Sequence, residues 1–252
     1  MNPFKTYGIT HLSSSQLTTF TSDPSRWFAQ KVLGYRSPSS AAMERGKAVE
    51  SGIVAAITGT ALADATEAAL TEYDRSTRFA SVQGDIAAER EHIAPMIAQA
   101  VPALERFGVP SFPEGGGQHK ISIPVRFGPD EDQTIDIIGY MDLVYDDCVV
   151  DVKSTLRIPS DMPFNHRIQA AIYARTSNKP VKFIYVSPKK TLILEDSDTA
   201  ASQRDVRAIV QRMAAFLSLS DDPEVLRAAV PVIIDSYSWR CEEQARHKLY
   251  GI

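Results

Sequence analysis

Only two cysteines, Cys148 and Cys241, occur in 252 residues. Two thiols cannot hold a four-thiolate iron–sulfur cluster, and no disulfide is expected in a chain that reads as intracellular. No apolar run reaches bilayer-spanning length, and the opening Met1-Asn2-Pro3-Phe4-Lys5 lacks the apolar segment of a secretory signal. No membrane association is expected, and the expected location is the cytoplasm, that of a host if the protein is viral. A positive charge excess is missing too: 27 Lys and Arg face 31 Asp and Glu, a net charge of −4. Bulk electrostatics therefore do not advertise a polyanionic partner. Internal repeats and low-complexity tracts are also absent, which argues against a solenoid.

What remains is ordinary globular material, 44% hydrophobic and 23% charged. The length suits one domain with a real core, so residues 1–252 are expected to form a single unit. Its N-terminal part, 1–110, reads as helical. Ser13 or Ser14 can cap a helix starting near Ser15, and Pro24 can open another. Helices are expected over 41–58, 61–76 and 86–107 from apolar spacing near 3.6, and 110–117 is a Pro/Gly linker. The core, 118–195, changes period. Residues 121–127 alternate as a strand, with Pro124 marking an edge or irregularity. Two further strands follow, then a helix over 164–175, a strand over 181–186 and another over 191–194. The C-terminal part, 198–252, reads as helices over 199–217, 222–229 and 236–250. The fold class expected is α/β with α+β character: a small mixed β-sheet core flanked by helices.

The chemistry-bearing residues lie in Gly139-Tyr140-Met141-Asp142, followed by Leu143-Val144-Tyr145, the turn-like Asp146-Asp147, and Val149-Val150-Asp151-Val152-Lys153. Read as a β-hairpin, Asp142 lies on one strand and Asp151 and Lys153 on its neighbour. Asp151 and Lys153 are two apart, so both point to one sheet face. Charge buried there without a partner is costly, and a divalent cation between the acids is the usual solution.

This pattern resembles the PD-(D/E)XK nuclease superfamily, and within it the RecB-like and lambda-exonuclease-like branch. An acid precedes a turn, and an Asp/Glu-x-Lys triplet follows it; Met141 stands where the family name has Pro. Residues 165–174 resemble the helix carrying the family's Gln-x-x-x-Tyr motif, here Gln169 and Tyr173, which share a helix face. Residues 45–50 resemble the Gly-x-x-x-Glu helix, here Gly46 and Glu50; RecB-like members often have His at that acid. Leu12 to Phe20, with Asp23-Pro24, resembles the opening helices of RecB-like nucleases. Some of those relatives carry an iron–sulfur cluster and have Cys-Pro where this chain has Asp23-Pro24, so no cluster is expected. The resemblance runs from about Leu12 to about Ser187.

It implies a restriction-endonuclease-like fold and a metal-dependent DNA nuclease, an exonuclease in recombination, repair or phage DNA processing. Glu50, Asp142, Asp151 and the Val152 carbonyl would hold Mg2+ or Mn2+. Asp142, Asp151, Lys153, Gln169 and Tyr173 would form the catalytic set, with Lys153 orienting or deprotonating the attacking water and Gln169 near it. DNA is the implied partner. By the same analogy a single-strand annealing protein, a helicase and a homo-oligomer enter as further partners. On its own, a Glu inside a helix is usually solvent-facing, so Glu50 rests on the resemblance. Gly46 should let its helix approach another backbone closely. His166 and Arg167 read as surface residues, Lys189-Lys190 as a turn, and Trp27, Phe28 and Trp239 as core anchors rather than base-stacking platforms. Lys31, Arg36, Arg45 and Lys47 give the N-terminal helices a local positive strip despite the net charge. A non-catalytic nucleic-acid-binding module on a nuclease-derived fold and a structure- or site-specific endonuclease stay open.

Overall fold

The computed structural model describes residues 2–78, 82–114 and 116–252; Gly115 of the expected linker lies outside them. The chain opens with α1 (Pro3–Thr6), β1 (His11–Leu12), α2 (Ser14–Ser22) and α3 (Pro24–Lys31). Ser13 caps α2 by accepting from the Gln16 amide at 3.4 Å, and Asp23 caps α3 by accepting from Arg26 at 3.1 Å. Pro24 sits at the first position of α3, where a missing N–H costs nothing. Then come α4 (Ala41–Ile57), α5 (Leu62–Arg78), α6 (Ile86–Glu91) and α7 (Ile93–Glu105). The stretch expected as one helix over 86–107 is broken at His92. Pro95 is the reason: inside a continuous helix its ring would meet the carbonyl of Glu91, whereas in the first turn of α7 it is tolerated.

The sheet region holds β2 (His119–Arg126), β3 (Thr134–Met141), β4 (Leu143–Val144), β5 (Val149–Ser154), α8 (Phe164–Ser177), β6 (Val181–Val186) and β7 (Thr191–Glu195). The α/β class expected from the sequence is the class observed, with the strands divided between two small mixed sheets. In the first, β3 lies between β1, parallel to it, and β2, antiparallel to it. Pro124 is on β2, at the edge of this sheet, as a residue without an N–H requires. In the second, the order is β4-β5-β6-β7, with β5 and β6 parallel and joined through α8. A chain that leaves β5 and re-enters parallel to it needs such a crossover.

The elements α9 (Thr199–Leu217), α10 (Pro223–Ala229), α11 (Tyr237–Cys241) and α12 (Glu243–Tyr250) complete the chain. The single tail helix expected over 236–250 is interrupted at Glu242, whose backbone is non-helical. Its carboxylate is drawn into a buried ion pair with Arg26 at 2.7 Å and also accepts from Tyr35. Trp27, Phe28 and Trp239 are fully buried, as core anchors should be. Both cysteines are free thiols, Cys148 buried and Cys241 exposed.

Two apolar clusters grip the second sheet from opposite sides. Val150 and Val152 of β5 pack with α4 and α7 residues such as Val49, Ile53 and Ile97. Burying each valine contributes about 1.5–3 kcal/mol. Strand alternation then turns Asp151 and Lys153 to the other face, the one covered by α8. The other cluster joins α8 and α9 to the first sheet through Ile121, Ile137, Ile168 and Val210. No described helix is long and apolar enough to cross a membrane.

Candidate active site

Asp142 occupies the single residue between β3 and β4, where the chain passes from one sheet to the other. The expected hairpin is present, since β4 and β5 pair antiparallel and the Tyr145 N–H donates to the Cys148 carbonyl across Asp146-Asp147. Asp142 precedes its first strand rather than lying on it. Its Oδ2 accepts the Val152 backbone N–H at 3.0 Å, which ties the acid to β5. Asp142 is 6% exposed and Asp151 1% exposed, so two buried carboxylates face one cavity.

Glu50 reaches the same place from α4. A cavity of about 520 Å³ is lined by Glu50, Asp142, Asp151, Val152, Lys153, Gln169 and Tyr173 together. Every residue singled out from the sequence as ligand or catalytic group is thus on one wall system, although Glu50 is far upstream in the chain. A second cavity, about 560 Å³, meets the first at Glu50, Gln118 and Asp142. A larger groove of about 630 Å³ is walled by residues of α5 alone, such as Asp64, Glu67 and Arg75, and is a solvated helix face. The approach of α4 to β5 differs from the expectation. A Cβ on Gly46 would lie 3.4 Å from the Ser154 hydroxyl oxygen, so the neighbour is a side chain and the space is tight rather than closed.

The electrostatics follow from burial. Desolvation, then Asp151, then Glu50 push the Asp142 carboxyl well above its ordinary range. Burial and the neighbouring Asp151 also raise Glu50, against the hydrogen bond from Gln118. Asp151 is raised by burial even though Lys153 opposes it. For Lys153, burial works against the ammonium, but Asp151, Asp142 and Glu50 outweigh it and hold the group protonated. Its Nζ is 2.6 Å from Asp151 Oδ1 and 5.4 Å from the Phe183 ring centre. The ammonium is thus the close ionic partner of that buried oxygen.

Gln169 and Tyr173 hold Asp151 from α8. The Gln169 amide donates one hydrogen to Asp151 Oδ2 at 2.8 Å and the other to the Tyr173 hydroxyl at 2.8 Å. Tyr173 then donates to the Tyr140 carbonyl. Each member of this chain has its partner, the condition under which a buried polar network rigidifies a site. Gly139 is required by the same approach, since a Cβ there would lie 2.9 Å from Tyr173 Cε1 and 3.3 Å from Ile121.

Two residues went unread or misread in the sequence. Gln118 donates through one nitrogen to Glu50 Oε1 at 2.7 Å and to Asp142 Oδ1 at 2.8 Å. Its NH2 stands between two carboxylates, in the place a cation's charge would take. His166 is half-buried rather than a surface residue. It stacks on Phe183 with ring centres 5.3 Å apart and bonds the Tyr185 hydroxyl at 2.6 Å. Burial, then the Lys153 charge, lower its pKa to about 4, so it is neutral at physiological pH.

Among the described residues, no three His, Cys, Asp or Glu side chains close into a metal cage. The donor set nonetheless suits a hard divalent ion: buried carboxylates, with a neutral amide NH2 from Gln118 and the Lys153 ammonium drawn among them. Mg2+ typically takes only one or two carboxylates and keeps several waters, so a closed cage is not required.

A carboxylate pair and a lysine presented beneath a crossover helix at the edge of a small mixed sheet define a restriction-endonuclease-like architecture. The family model described as the PD-(D/E)XK nuclease superfamily matches residues 11–217, and the chain belongs to that superfamily. Nucleases of this superfamily typically work with divalent metals such as Mg2+ or Mn2+. The match stops at the end of α9, before α10–α12. No curated protein matches the chain. A solved structure titled "Crystal structure of SSO0001" is similar at 13% identity with a TM-score of 0.33, covering 57% of this chain and 69% of its own.

Proposed function

We propose that this protein is a Mg2+- or Mn2+-dependent deoxyribonuclease, an exonuclease of the RecB-like and lambda-exonuclease-like branch that acts in recombination, repair or phage DNA processing. The observation that carries the proposal is the convergence of Glu50 from α4, Asp142 from the sheet junction, and Asp151 and Lys153 from β5 on one cavity. Residues 1–252 act as one nuclease domain in this reading.

Phosphodiester hydrolysis needs a nucleophilic water, stabilisation of charge on the phosphoryl oxygens, and help for the leaving oxygen. Glu50, Asp142, Asp151 and the Val152 carbonyl would hold a divalent ion, which would lower the pKa of a bound water and supply positive charge at the phosphate. Lys153, held protonated by three acids in the metal-free site, orients or deprotonates the attacking water and steadies the developing anion. Gln169 and Tyr173 are positioning residues: they fix the Asp151 carboxylate and the β3 backbone. His166, neutral and stacked on Phe183, supports the aromatic wall beneath Lys153.

The test is incubation of the purified chain with linear and covalently closed circular DNA, in Mg2+ and in chelator. Metal-dependent loss of linear DNA alone supports the exonuclease. Cleavage of the circle points to the endonuclease, and retained DNA binding without cleavage points to the non-catalytic module. An annealing protein or helicase and self-assembly are the partners to examine next, and the cytoplasm is the proposed location.

A further inference from the structure

Outside the acids, the cavity has a second kind of wall. β2 and β3 pair so that Lys120 stands directly opposite Tyr140. Tyr140 precedes Asp142 by two residues, so on extended backbone both side chains leave the same face. Lys120 and Tyr140 both line the cavity that holds the acids. The step along β3 from Asp142 to this pair is about 6.8 Å, at about 3.4 Å per residue. Consecutive phosphates of an extended nucleic-acid strand are separated by a step of this kind.

A tyrosine on a strand surface is by itself unremarkable, because aromatics favour strands. Position and exposure single this one out. Tyr140 is 49% exposed, whereas Trp27, Phe28 and Trp239 are fully buried and cannot meet a base. Its backbone is held by the Tyr173 hydroxyl, itself bonded to the amide that fixes Asp151. The exposed ring therefore has a fixed base, in register with the catalytic wall. Directly across the strand pair is an exposed ammonium, Lys120. Next to the negative acids, an aromatic face with a cation beside it matches one ligand chemistry well: a base with its adjoining phosphate.

We infer that Lys120 and Tyr140 form the subsite for the nucleotide next to the scissile phosphate, with Lys120 on its phosphate and Tyr140 stacked on its base. The subsite rests on the nuclease reading above. On this proposal the nucleotide on Tyr140 is single-stranded.

The test measures binding without turnover. Wild type, Tyr140→Ala, Tyr140→Phe and Lys120→Ala are titrated, with chelator present, against a fluorescein-labelled single-stranded DNA 12-mer and an abasic oligomer of the same length. Tyr140→Ala is expected to bind the base-bearing strand about ten-fold more weakly, to bind the abasic strand like wild type, and to be rescued by Tyr140→Phe. Lys120→Ala is expected to weaken both and to reduce the slope of log affinity against log salt by about 0.7. Both side chains are exposed, and unchanged melting curves show that the variants fold. Equal loss on base-bearing and abasic strands, or wild-type binding by both alanine variants, overturns the subsite. If wild type cleaves linear DNA while these variants bind normally, only the subsite fails. If wild type neither cleaves nor binds DNA, the nuclease reading fails with it.

Discussion

Replacing Gln118 by Ala should make this protein less stable without metal and tighter for metal, and both effects follow from one nitrogen. In the metal-free state that nitrogen donates to Glu50 at 2.7 Å and to Asp142 at 2.8 Å. A hydrogen bond to a charged group contributes about 1.5–3 kcal/mol. Gln118 is exposed and Glu50 only half-buried, so water competes there. The bond to buried Asp142 dominates, and the lower end, about 1.5 kcal/mol, is the reasonable figure. For a chain of this size that is a fall of about 3–6 °C in the melting temperature of the metal-free protein. A cation taking its place between Glu50 and Asp142 must break the same bonds in wild type, whereas in the variant they are already gone. Mn2+ should therefore bind the variant about ten-fold more tightly, and saturating metal should bring the two melting temperatures together. Differential scanning calorimetry and titration calorimetry with Mn2+ measure both. Weaker metal binding in the variant would show that Gln118 is itself a ligand and refute the reasoning. An unchanged metal-free melting temperature would show that the amide holds nothing.

Asp151→Ala should abolish Mg2+-dependent cleavage while circular dichroism stays that of the wild type; wild-type cleavage would remove the metal-site assignment. Lys153→Ala should lose turnover yet keep Mn2+ affinity, and a loss of affinity as large as that of the Asp151 variant would make Lys153 an organiser of the site. The raised acids set a pH dependence: a carboxyl raised on folding adds stability that is full at low pH and lost as pH climbs from about 4, the ordinary carboxylate value, through its raised one. Metal-free wild type should thus melt lower at neutral pH than at mildly acidic pH, Asp142→Asn should flatten that trend, and Mn2+ affinity should rise with pH as the protons leave. Gly139→Ala should cost about 1–3 kcal/mol in chemical denaturation, because its methyl meets Tyr173 at 2.9 Å and Ile121 at 3.3 Å.

Much of the site was legible because its parts are local. Asp151 and Lys153 share a face by strand alternation, and Gln169 and Tyr173 share one by helical spacing. Those rules need no knowledge of the rest of the chain. The strand 181–186 and the helix 199–217 were readable for the same reason. Gln118 was not. It follows a Pro/Gly stretch with no period, and its contact with Asp142 arises only when β2 and β3 pair in register. His166 looked like a surface residue because its helix position alone cannot show that β6 places Phe183 and Tyr185 against it. The split of the strands into two sheets was equally hidden. It turns on one residue, Asp142, and the run from 134 to 144 is apolar enough to pass for continuous strand.

That junction explains why the costliest charges in the molecule can be kept at all. A buried carboxylate is tolerable only with donors around it. Among the described residues, Asp142 draws on two, a backbone N–H of β5 and the amide of Gln118, the residue before β2. Asp151 draws on the α8 amide and the β5 ammonium. The donors come from β5, α8 and the residue leading into β2, so losing any one of these leaves an acid short of a partner. The same dependence binds the site to folding. The sheets, α4 and α8 must all be docked before the acids meet, so a cation that prefers the assembled cluster stabilises that whole assembly. At a hundred-fold excess over its dissociation constant, such a ligand adds about 2.7 kcal/mol to stability. Metal binding and tertiary packing are on this account one equilibrium. A substitution far from the cavity that loosens α4 against β5 should then weaken metal affinity without touching a ligand.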